Sequence, residues 1–168
     1  MKILQLGKFY PIRGGVEKVM YDLTIGLSEQ GVSCDMMCAF SQGGSHTVRL
    51  NDNARLIGCH TWVKLAATMS SPAMIFALRR KCREYDIIHV HHPDPMACLA
   101  LLLSGYKGKV VLHWHSDIEK QKVLLRFYMP LQKWLLKRAD VIVGTTPAYL
   151  AASPFLKSVQ DKCCCLPI

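Results

Sequence analysis

Apolar residues along the chain gather in short runs of strand length, separated by longer segments of helical period. Residues 2–6 read as a strand, 16–30 as a helix closed by Gly31, and 33–39 as a second strand, so the chain opens as a βαβ unit. The alternation continues with strands over 55–58, 86–91, 109–114, 140–144 and 162–166. Helices are predicted over 73–84, 95–103 and 119–138, with another opening near Pro147. Residues 41–53, rich in Gly, Ser and Asn, read as a loop, and Ser70-Ser71-Pro72 as a helix entry. Alternating β and α elements imply one α/β, Rossmann-like domain over 1–168, with a doubly wound, mostly parallel sheet and helices on both faces.

Composition agrees with a globular chain. Of the 168 residues 51% are hydrophobic and 20% charged, outside the disordered range, and this length builds a core without external staples. The longest uncharged apolar run, residues 96–103, is far shorter than a membrane-spanning helix, and the N-terminus has no export signal. A cytoplasmic chain follows as the expectation. Its eight cysteines then remain thiols, most of them small core residues, and Cys163-Cys164-Cys165 is predicted to be a buried strand. Charge is lopsided: residues 1–60 carry a net +1 and residues 61–168 a net +8. The basic second half points to anionic partners, although no nucleic-acid motif or stacking platform accompanies it, so nucleic acid is not expected.

Three constellations bear chemistry. The first, Tyr10-Pro11-Ile12-Arg13-Gly14-Gly15-Val16-Glu17, joins the first strand to the first helix. Paired glycines at a helix N-terminus allow backbone N–H groups to approach a phosphate; the plainer reading is a turn with Glu17 complementing the helix dipole. Neither dinucleotide nor P-loop spacing is present. The second is a pair of histidine-rich strand ends, His89-Val90-His91-His92 and His113-Trp114-His115-Ser116-Asp117. His89 shares a face with His91 and His113 with His115, and His115, last on its strand, is best placed to meet a ligand. Only scattered carboxylates such as Asp94 and Asp117 offer a further metal ligand, so no metal is expected. In the third, Lys122, Arg126, Lys133 and Lys137 form one helical stripe opposite Leu124, Tyr128, Leu131 and Leu135, either a solvated face or a surface for anionic lipid. Pro130 is expected to divide this region into two helices.

Pro11 with Gly14-Gly15-Val16-Glu17, then Asp86-Ile87-Ile88-His89-Val90-His91, His113-Trp114-His115-Ser116-Asp117-Ile118 and Arg138-Ala139-Asp140-Val141-Ile142-Val143 resemble the N-terminal half of family 4 glycosyltransferases, retaining enzymes of GT-B fold. Gln121-Lys122, Tyr128-Met129-Pro130-Leu131 and Thr145-Thr146-Pro147-Ala148-Tyr149-Leu150 look most like bacterial mannosyl- or rhamnosyltransferases of surface polysaccharide assembly.

The resemblance implies that Gly14 and Gly15 face the donor diphosphate and that His115 contacts the transferred sugar. Thr145 and Thr146 would line the cleft, and Glu17, His91, His92 and Asp117 are further cleft or acceptor contacts. It also implies a nucleotide-sugar donor as substrate, no cofactor, and a polysaccharide or lipid-linked acceptor at the inner face of the plasma membrane. Retention is expected to proceed by front-face displacement. The nucleotide-binding C-terminal domain of such enzymes is not in these 168 residues, so this chain alone is expected to be inactive. The competing reading is a non-catalytic module holding a phosphorylated or lipid-linked ligand at the glycine loop.

Overall fold

The computed structural model describes residues 1–12, 14–40, 43–65, 68–118 and 122–167. In chain order the elements are β1 (Lys2–Tyr10), α1 (Gly15–Glu29), β2 (Ser33–Phe40), β3 (His46–Arg49), β4 (Arg55–His60), β5 (Val63–Leu65), β6 (Thr68–Ser70) and α2 (Pro72–Lys81), which runs into a 3-10 turn at Cys82–Glu84. There follow β7 (Ile87–His92), α3 (Pro95–Ser104), β8 (Lys109–Trp114), α4 (Lys122–Arg138), β9 (Val141–Gly144), α5 (Pro147–Ala152), a 3-10 segment at Lys157–Lys162 and β10 (Cys163–Cys165). Arg13 and residues 119–121, where the predicted loop and the start of the long helix fall, lie outside the described residues.

Eight strands form one sheet in the order β10-β9-β8-β7-β1-β2-β4-β3, all parallel except β3, which pairs antiparallel with β4. The chain winds outward from β1 through β2 and β4, then returns to place β7 on the other side of β1 and winds outward again. The strand order therefore reverses between β1 and β7, and the crevice beyond their C-terminal ends is where such a sheet receives ligands.

Both faces carry helices, unequally. On one face Leu4, Leu6, Met37, Ile57, Ile88, Val90, Leu112 and Ile142 pack under α2 to α5 in the main core. On the other, Met20 of α1 covers Met36, Cys38, Phe40 and Leu56 in a smaller one. Local chemistry sets the helix ends that border the crevice. Asp94 caps α3, its Oδ1 accepting from the backbone N–H of Met96 at 2.9 Å and of Ala97 at 3.1 Å, and Gly105 closes that helix at φ +70°. Thr146 caps α5, and Ser71 with Pro72 opens α2 as the sequence suggests.

The structure corrects several sequence expectations. Residues 46–49 of the predicted loop form β3; all four are exposed, so no alternation marked them as a strand. Strands β5 and β6, three residues each, are too short to show an alternating pattern in the sequence. Pro130 does not divide α4: it lies on the exposed side of one continuous helix, where a missing backbone donor is best tolerated. Nor is the cysteine strand buried. Cys163 packs on the core, but Cys164 and Cys165 are exposed, because β10 is a three-residue edge strand and α1 covers the distant β1 and β2. The other five cysteines are buried free thiols. No helix among the described residues is long and apolar enough to cross a membrane.

Candidate active site

The crevice begins with β1. Lys8 interrupts the pairing of β1 with β2, for Gly7 faces Cys38 and Phe9 faces Ala39, so Lys8 is the extra residue of a bulge at the strand's C-terminal end. Bulges re-aim side chains at such rims. The positive charge of Lys8 bears on Asp94, His92 and His115, groups from the β7 and β8 side of the crevice. No sequence motif marks Lys8; a cation two residues before the glycine loop is the signal that points to it.

Gly14 is the N-cap of α1 and Gly15 its first residue. Among the described residues, a Cβ on Gly15 would meet nothing within 4 Å, so none of them blocks close approach to the first N–H groups of the helix. Gly14 is constrained differently: a Cβ there would lie 2.8 Å from Oε2 of Glu17. The buried Glu17 carboxylate thus folds back over the loop, at the helix's own positive end. The carboxylate that the plainer sequence reading puts at the helix terminus is in place.

Across the crevice four imidazoles form a ladder on the α1 face of the sheet. Ring centroids are 4.7 Å apart for His89 and His91, 5.3 Å for His91 and His113, and 4.0 Å for His113 and His115. His91 is fully buried; its Nδ1 lies 2.9 Å from Nε2 of His115 and its Nε2 lies 2.8 Å from Oε1 of Gln5. Burial, with the neighbouring imidazoles, holds His91 far below its usual range, and burial with His113 and Lys8 brings His115 down to about 3. These rings are neutral near pH 7.

Nitrogens of His89, His91 and His113 all lie within 4.8 Å of one another, the spacing of a possible metal ligand set. Their orientation argues against chelation. His89 and His113 are stacked only 5° from parallel, and a metal must lie about 2 Å from nitrogen in the plane of each ring it binds. Rings stacked more than 5 Å apart do not converge on such a point. His91 moreover uses both nitrogens already.

Other sequence candidates are placed apart or engaged. His92 points to the opposite face, stacked on Trp114 at 3.9 Å beneath α4 with Tyr128 beyond, and burial lowers it to about 3. Asp117 Oδ1 accepts from Trp114 Nε1 at 2.7 Å and from Ser153 Oγ at 2.9 Å, tying the loop after β8 to α5. Thr146 is exposed and caps α5 through Tyr149 N, while the half-buried Thr145 accepts from Cys165 Sγ through its carbonyl. Gln5, which no motif marks, belongs to the site by its contact with His91.

Residues 13–152 match Glycosyltransferase Family 4. The chain is 33% identical over 169 residues to the O-antigen chain mannosyltransferase C of Escherichia coli, covering 99% of this chain and 45% of that protein. It is 30% identical over 171 residues to the D-rhamnosyltransferase WbpZ of Pseudomonas aeruginosa, covering 96% and 43%. The chain therefore spans about half the length of the curated relatives it matches. Among solved structures, sucrose-phosphate synthase from Thermosynechococcus elongatus superposes with a TM-score of 0.71 at 15% identity over 99% of this chain and 48% of that one. Anabaena Alr3699/HepE in complex with UDP and glucose gives 0.66 at 13% identity over 99% and 44%. Those two likenesses speak to the fold.

Proposed function

The chain belongs to glycosyltransferase family 4, and on that premise we propose that it forms the acceptor-side half of a retaining transferase that moves mannose or rhamnose from a nucleotide-sugar to a polysaccharide or lipid-linked acceptor. The topology supports the reading: Gly14-Gly15 opens α1 directly after β1, and His115 follows β8 and bonds to His91 of β7, so both border the C-terminal ends of the strands that flank the switch point. The helix end suits a diphosphate, with Lys8 adding positive charge, and the imidazole suits a sugar hydroxyl. In the reaction the bond from the anomeric carbon to the diphosphate oxygen breaks, the acceptor hydroxyl oxygen bonds to the same face, and its proton passes to the departing phosphate. These residues bind and orient; the groups holding the nucleotide come from a second domain, of the size that completes the matched relatives.

Membrane docking at the inner leaflet fits the exposed basic side of α4. No cofactor enters this scheme. The test is turnover of the intact transferase with nucleotide-sugar and acceptor. His115→Ala should lower kcat about a hundredfold or more with the domain still folded, and the 168-residue chain alone should transfer nothing. Unaltered turnover of His115→Ala would overturn the assignment.

A further inference from the structure

A line of hydrogen-bonding groups runs from α1 through the sheet to the crevice, and one end of it is chemically unambiguous. Thr24 Oγ donates to the backbone carbonyl of Met20 at 2.8 Å, and a carbonyl only accepts. Thr24 lies beside Cys34, whose thiol burial pushes up to about 11. Cys34 Sγ accepts from Gln5 Nε2 at 3.7 Å, a long contact to sulfur that orients the amide. Gln5 Oε1 then faces His91 Nε2 at 2.8 Å and, as an amide oxygen, only accepts. His91 must carry its proton on Nε2, which leaves Nδ1 bare. His115 Nε2, 2.9 Å from that bare nitrogen, must carry a proton in turn. Each group has one consistent role, and Thr24, Cys34, Gln5 and His91 are all buried, so no water competes for these bonds.

We propose that this chain of donors locks His115 as its Nε2–H tautomer, so that Nδ1 meets the crevice as a hydrogen-bond acceptor for a sugar hydroxyl, with Gln5 and His91 as the positioning residues. An ionised phosphate oxygen accepts and has no proton to give, so the ring so fixed selects a hydroxyl and leaves the diphosphate to the glycine loop and Lys8. The opposite tautomer, or an imidazolium, would donate instead and draw the phosphate toward the sugar's place. The part concerning the sugar rests on the transferase reading above; the tautomer does not.

The test is long-range proton–nitrogen NMR of the intact protein labelled with 15N-histidine, in which this chain supplies seven histidines, with assignment by loss of a signal in His115→Gln. The expected spectrum shows a protonated Nε2 and a bare Nδ1 for both His91 and His115 at neutral pH. A protonated Nδ1 on either ring overturns the proposal, whatever the activity. Gln5→Glu supplies a second readout: it keeps the acceptor but adds a negative charge beside His91, so the acid limb of the kcat profile should move to higher pH by about one unit or more. A folded Gln5→Glu enzyme whose pH profile coincides with wild type would reject the positioning role. If the tautomers are as stated and His115→Ala turns over normally, the transferase assignment of His115 fails while the locked tautomer stands.

Discussion

Gly7 on β1 stands against His91 on β7 so closely that a Cβ at Gly7 would lie 3.1 Å from His91 Cβ and 3.0 Å from Met20 Sδ. The missing side chain is what lets α1 close over the sheet beside the imidazole that contacts His115. Gly7→Ala should therefore cost about 1–3 kcal/mol by overpacking and should lower turnover by displacing His91. Gly26, inside α1, is a built-in control, since a Cβ there meets nothing within 4 Å among the described residues. Gly26→Ala should stabilise the fold by about 0.5–1 kcal/mol through helix propensity. Urea melts of both variants decide the matter, and equal effects would show that the close approach at Gly7 is unimportant.

Asp35 on β2 is buried, yet accepts from Arg55 Nε at 3.2 Å, Arg55 Nη2 at 2.7 Å and Tyr85 Oη at 2.8 Å. Burial alone would raise its carboxyl, but these donors and the Arg55 charge outweigh it and hold the folded-state value below the ordinary carboxylate range. A depressed folded pKa contributes stability that is present above the unfolded value near 4 and lost as pH falls through the folded one. Asp35→Asn should then cost about 2–3 kcal/mol at pH 7 and progressively less toward pH 3. A penalty independent of pH would refute this account.

Asp94 has the opposite sign. Its burial lifts the carboxyl to about 6, although the Met96 and Ala97 amides pull it down. A folded value raised above the unfolded one favours the protonated acid, so its contribution is greatest below about pH 4 and is lost as pH rises through 6. Asparagine keeps the carbonyl that caps α3 and never ionises. Relative to wild type, Asp94→Asn should gain stability between pH 4 and pH 7, read as a rising difference in unfolding midpoint. A flat or falling difference would mean that the carboxylate is well solvated.

Which features were legible in the sequence follows from which forces write a repeating pattern. The buried strands β1, β2, β7 and β8 and the amphipathic α1 and α4 appear as apolar runs and periodic faces, and the switch point follows from their alternation. Adjacent glycines and clustered histidines marked the two sides of the crevice. Lys8 and Gln5 were not marked, because one owes its place to a bulge and the other to a parallel register that sets it beside His89, one pleat from His91. Likewise His91 and His92 are neighbours in sequence, but the strand pleat sends them to opposite faces. Exposure at β10 depends on which part of the sheet α1 covers, a relation between distant elements that no local pattern records.

Helix α4 turns Tyr128, Gln132 and Leu135 to the core and exposes Arg126, Lys133 and Lys137, with the neighbouring Phe127 79% exposed. The side chains of Lys122 and Leu124 lie outside the described residues. An exposed aromatic beside a row of cations suits the headgroup region of an anionic bilayer, where each cation contributes about 1 kcal/mol. In sedimentation with vesicles at low salt, the protein should follow anionic lipid and leave neutral lipid in suspension, and binding should weaken as the Debye length shrinks. Replacing Arg126, Lys133 and Lys137 together by Gln should lower partitioning about a hundredfold. Phe127→Ala should weaken it at every salt concentration, since apolar insertion is not screened. Equal sedimentation with neutral and anionic vesicles would remove membrane docking from the proposed function and leave this face as a solvated helix surface.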